Sequence, residues 1–103
     1  MSGKNVFVLL SIVLGGCGRA PADRGVAASD WVLQRATMSG ACHVQPAPAK
    51  PELGALLASK PSRKAACQEA LARKTDDAAD TGRCFAYTRG AISECAKEGI
   101  VLP

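Results

Sequence analysis

A small all-α domain stapled by disulfides is the fold class this sequence predicts, and three observations predict it. Apolar residues recur three and four apart in two stretches, Ala66, Cys67, Ala70 and Leu71 in one and Cys84, Thr88, Ala91 and Cys95 in the other. That is the period of a single helix face. No run of alternating apolar and polar residues is strong enough to require a sheet. Cysteine is abundant, five in 103 residues, as in exported domains too small to be held by a hydrophobic core alone. The expected architecture is a helical hairpin with one or two short helices, set behind a signal peptide and a flexible tether.

Residues 1–16 have a basic start at Lys4, an apolar run from Val6 to Leu14 and two small residues, Gly15 and Gly16. This is the grammar of an export signal. The apolar run would make a helix of roughly 13–14 Å, far short of the ~30 Å hydrocarbon core of a bilayer. It is too short for a membrane span.

Leu14-Gly15-Gly16-Cys17 resembles the lipobox of bacterial lipoproteins, an aliphatic residue and two small residues before a cysteine. The resemblance covers the first 17 residues. It implies cleavage between Gly16 and Cys17, a diacylglycerol on the Cys17 thiol and acylation of the new amine. Sulfur is the nucleophile that takes the lipid, and small residues let the cleavage site lie extended in a protease groove. Two or three acyl chains would make the attachment effectively permanent. In enterobacterial lipoproteins an Asp after the lipidated Cys retains the protein in the inner membrane. Here that residue is Gly18, so the resemblance implies the outer membrane, facing the periplasm, with inner-membrane anchoring as the alternative.

Three regions follow from this reading: a signal peptide at 1–16, the lipidated Cys and a tether at 17–29, and a helical domain at 30–103. The tether, with GRAPADRGVAA at 18–28, lacks apolar periodicity and reads as a flexible spacer. Ser29 is positioned to cap a short helix from Asp30, with Gly40 beyond its end. QPAPAKP at 45–51 reads as an extended linker. Pro51 then opens a helix carrying Leu53, Leu56 and Leu57 up to Ser59. A third helix is expected from Ser62 to Lys74, a turn in TDDAADTG at 75–82, and a last helix from Asp80 or Thr81 to Glu98, stopped by Gly99.

With Cys17 assigned to lipid, Cys42, Cys67, Cys84 and Cys95 form an even set, as two disulfides require. On one unbroken helix Cys84 and Cys95 lie about 16.5 Å apart, beyond the ~7 Å that a disulfide permits. Two pairings remain open: Cys67–Cys84 with Cys42–Cys95, or Cys67–Cys95 with Cys42–Cys84.

Other chemistry finds little support. The cysteine spacings include no CxxC pair and the single His43 stands beside Cys42, which does not fit a zinc site; no metal or cofactor is expected. His43 in a region of turns lacks the triad logic of a nucleophilic enzyme, so no catalytic residue is assigned and an enzyme is not expected. Asp76, Asp77 and Asp80 lack the closing Glu of a calcium loop. Thirteen basic residues against nine acidic ones give a net charge of +4. The two signs are interspersed, which is a solvated surface and not a nucleic-acid footprint.

The expected function is that of a membrane-anchored envelope lipoprotein, a structural or interaction module. Its partners would be the membrane, through the lipid on Cys17, and another envelope protein, met through Trp31 and the Pro-rich segment. An inhibitory role is the alternative: Asp30-Trp31 followed by Cys42 is similar to some small exclusion lipoproteins of conjugative plasmids.

Overall fold

The structure, a computed structural model, describes residues 26–103. Gly16 and Cys17 lie outside the described residues, with the rest of the predicted signal and most of the tether. The described chain is an α/β domain and not the all-α bundle expected. Strand β1 (Trp31–Arg35) turns into β2 (Ala41–Pro46); a loop with one 3-10 turn (Pro51–Leu53) leads to β3 (Ala55–Lys60), followed by helix α1 (Arg63–Ala72), the short strand β4 (Ala86–Tyr87) and helix α2 (Arg89–Ala96). The sheet order is β3-β1-β2-β4. It is mixed: β1 is antiparallel to both β2 and β3, and β2 is parallel to β4.

The expected helix from Asp30 is strand β1. Val32 and Leu33 are adjacent, and both are fully buried, because this central strand is covered on both faces. A strand buried on two sides carries no polar alternation, so the missing alternation does not argue against a sheet. Trp, Val and Leu suit such a pleated surface, the first two especially. Strand β2 does alternate, Cys42 and Val44 buried between less buried His43 and Gln45, but over too few residues to stand out.

The expected helix of Leu53, Leu56 and Leu57 is also corrected. Pro51 starts only one 3-10 turn, and Gly54 ends it with φ of 101°. A Cβ at Gly54 would run into the backbone of Arg35, so this position requires glycine both for its dihedral and for close approach. From Ala55 the chain is extended beside β1, with a bulge where Leu33 pairs with Ala58 but Gln34 pairs with Leu56. The expected linker at 45–51 is instead the end of β2 and a folded loop.

Helix α1 falls within the predicted 62–74 stretch. Ser62 caps it, its Oγ accepting from the Ala65 N–H at 3.1 Å. The last helix is shorter than expected, starting only at Arg89, where Thr88 Oγ1 accepts from the Ala91 N–H at 3.1 Å. Cys84 lies before it: its N–H donates to the Arg73 carbonyl and its own carbonyl accepts from Thr75, both at 2.9 Å. The 75–82 segment is a turn, with Asp77 and Asp80 carboxylates accepting from the N–H groups of Ala79 and Gly82.

The main core contains Leu33, Val44, Ala66, Ala70, Ala91 and Leu102 together with all four cysteines. The structure joins Cys42 to Cys84 and Cys67 to Cys95, with Cα atoms 5.6 and 5.4 Å apart. This is one of the two pairings left open by the sequence. The helical separation of Cys84 and Cys95 is not the reason for it, since the two share no helix.

Tyr87 ties β4 to α1: its hydroxyl donates to the Ala70 carbonyl at 2.6 Å. Burial pushes its pKa above the ordinary 10.0. A raised folded value favours the protonated folded state, so this contribution is complete below about pH 10 and is lost as pH rises through the folded value. Alkaline unfolding of the wild type should therefore be steeper than that of Tyr87→Phe, which should cost about 1 kcal/mol near neutrality. The chain has one tyrosine, so phenolate absorbance reads the ionisation directly; titration at the value of a free tyrosine would refute this.

Candidate interaction surface

Among the described residues there is no ligand-sized pocket, and no cluster of three or more His, Cys, Asp or Glu able to hold a metal. The predicted site residues do not assemble into one place. Cys42, Cys67, Cys84 and Cys95 are 0% exposed and joined in pairs, which makes them structural cross-links. Cys17 and Gly16 are not among the described residues.

Trp31, expected to be an anchor for a partner, is already engaged. It packs partly buried against the core, and the Arg63 guanidinium lies 5.6 Å from its ring centroid. Arg63 in turn donates through Nε to Glu98 at 2.8 Å and through Nη1 to Glu94 at 3.2 Å. The hydrogen bond from Arg63 to Glu98 is the largest reason its pKa stands above the ordinary arginine value. Glu69 receives Arg73 Nε at 2.7 Å and Lys60 Nζ at 3.5 Å; the Arg73 bond foremost holds its carboxyl below the usual range. The Arg63 pairs link α1 to Glu94 and Glu98 and the Lys60 pair links it to β3, while Arg73–Glu69 lies along α1 itself.

The Pro-rich loop is engaged too, through a residue that no sequence pattern singles out. Gln34 is 1% exposed. Its Nε2 donates to the carbonyls of Lys50 at 2.7 Å and Gly54 at 3.0 Å, while its Oε1 accepts from Lys50 N at 3.0 Å and Gln45 Nε2 at 3.1 Å. One side-chain amide thus pins the loop over the sheet. Arg35, 4% exposed, is equally unmarked in the sequence. Its Nη2 donates to the Ala78 carbonyl at 2.9 Å, and its buried Nε has no partner. Only their place on a central strand, invisible in one sequence, distinguishes these two residues.

The described fold leaves open the outer edge of β3. This strand pairs only with β1, and the opposite edge strand, β4, is two residues long. An edge presents unpaired N–H and C=O groups that can receive another strand. Five of its six residues, Ala55 to Ser59, carry no charge, and Leu56 is 45% exposed. Ser59 is held in place by its Oγ, which donates to Asp30 Oδ2 at 2.7 Å.

Comparison with protein-family models, with curated proteins and with solved structures returned no match. No helix among the described residues is long and apolar enough to cross a membrane.

Proposed function

We propose that this protein is a lipid-anchored bacterial envelope protein whose small disulfide-bonded domain is an interaction module, offering the edge of β3 to a partner strand. The observation that carries the reading is the division of the cysteines. Cys42, Cys67, Cys84 and Cys95 consume one another in two buried disulfides, which leaves Cys17, behind Leu14-Gly15-Gly16, as the thiol available for lipid. Persistent disulfides belong to oxidising compartments, and the short apolar run before the lipobox supplies the export signal. Anchoring at Cys17, followed by Gly18, is assigned to the outer membrane with the domain facing the periplasm.

Radiolabelled fatty acid should enter the wild-type protein in a bacterial host and sediment with it in the outer-membrane fraction. Cys17→Ser should abolish the label and release a disulfide-bonded protein into the soluble periplasm. Retention of the label by the variant would refute lipidation at Cys17, and labelled protein in the inner membrane would refute the location.

A further inference from the structure

We propose that the partner strand on the β3 edge is β3 of a second copy of this chain, paired antiparallel across a two-fold axis at Ala58. The inference rests on the reading of β3 as a docking edge and not on the lipid anchor.

The hydrogen-bond phase of β3 follows from that of β1. Ala36 N–H donates to the Ala41 carbonyl and Ala47 N–H to the Asp30 carbonyl, each at 2.9 Å, so the even-numbered residues of β1 face β2. Trp31 and Leu33 therefore turn to β3, opposite Lys60 and Ala58. The backbone groups of Ala58 and Lys60 are spent inward. Across the intervening peptide bonds, the Leu57 carbonyl and both backbone groups of Ser59 point outward.

An axis at Ala58 uses these groups without a shift. Ser59 N–H of each copy donates to the Leu57 carbonyl of the other, so the bond is made twice. Ala58 meets its own copy at a non-hydrogen-bonded position, where Cα atoms approach to about 4.5 Å, and its methyl group packs toward the core and leaves that approach clear. The bulge keeps Leu57 beside Ala58 on the core face and turns Leu56 to the opposite face with Ser59, so only small or apolar side chains flank the axis on either face. The same register carries Glu52, exposed and without an ion pair among the described residues, toward the end of the partner edge that holds Lys60 and Lys64. Parallel pairing in register would instead oppose Lys60 to Lys60, which destabilises a sheet.

The bulge beside Leu57 and the proline at position 61 keep the ladder short. A short ladder makes a weak dimer in dilute solution.

The test is sedimentation of the full-length protein in density-matched detergent over a range of concentrations, with hydrogen exchange at Ser59. A reversible dimer is expected, with the Ser59 amide slowing as it forms. Ser59→Pro, which removes an N–H pointing away from β1, should weaken it about fivefold to a hundredfold, since the bond is made twice. Ser59→Ala, which keeps that N–H, should hold wild-type affinity within about threefold. Equal affinities for the two variants would overturn the register. A monomer at every concentration with fast exchange at Ser59 would overturn the second copy as occupant and leave the edge open to another strand. A monomer with slow exchange there would mean the chain covers its own edge, overturning the docking reading as well.

Discussion

Removal of both disulfides is expected to unfold the domain. Each bridge withdraws loop-closure entropy from the unfolded chain, and sequence separations of 42 and 28 residues correspond to about 4 and about 3.5 kcal/mol. A domain of this size has a total stability on the order of 4–12 kcal/mol, so the two together are most of it. The bridges are also the packing. All four cysteines are fully buried in one cluster with Leu33 and Val44, and Cys67–Cys95 fastens α1 to α2 while Cys42–Cys84 fastens β2 to the segment before β4. Circular dichroism of the fourfold variant Cys42→Ala, Cys67→Ala, Cys84→Ala, Cys95→Ala should show loss of the folded signal at 25 °C. Because all four disulfide cysteines are 0% exposed, reductant without denaturant should act only as fast as the domain opens. A fourfold variant with a cooperative melt near that of the wild type would show that the small core suffices alone.

Gln34→Leu is expected to cost about 3–5 kcal/mol despite its nearly matched volume. The substitution leaves the N–H and C=O of Lys50 and the C=O of Gly54, all part-buried, without their partner, so each costs toward the lower end of the about 1–3 kcal/mol of a buried unsatisfied group. Part is recovered if the loop lifts toward water, which exposes Val32 on the same face of β1. The melting temperature should fall by roughly 15–25 °C, and the Lys50 amide should become the most affected by hydrogen exchange. Gln34→Glu keeps the shape but turns an acceptor toward two carbonyls, and should be no better tolerated. A loss under 1 kcal/mol in either variant would mean that the loop is held by something other than this amide.

Features that depend on neighbours along the chain are legible in the sequence. Ser62 ahead of a run of strong helix formers marks α1, and its hydroxyl does cap it. The Asp-rich 75–82 segment marks a turn, because Asp side chains bond the backbone two residues on. Position along the chain misleads where long-range pairing overrides local period. Leu53, Leu56 and Leu57 have helical spacing, yet Gly54 breaks the helix at its first turn and β1 offers a ladder to Ala55 and the residues beyond. Cys84 and Cys95 also have helical spacing, but Cys84 bonds the backbone of Arg73 and Thr75 in a bridge to the end of α1. Trp31 and the Pro-rich segment suggest an interaction surface from the sequence, and the fold stacks Arg63 by Trp31 and ties the loop backbone at Lys50 to Gln34 while Pro46, Pro48 and Pro51 stay exposed. The edge of β3 has no such local signature, since an edge exists only once the strand order is known.

The sequence by itself determined an even set of four cysteines after Cys17, one well-capped helix and the turn beyond it, since each is decided by composition or by contacts a few residues apart. Only the tertiary structure decided that the remainder is a sheet, which cysteine meets which, and that β3 has a free side among the described residues. Those outcomes depend on segments tens of residues apart competing for the same backbone hydrogen bonds, and β1, buried on both faces, wins partners that no local pattern announces.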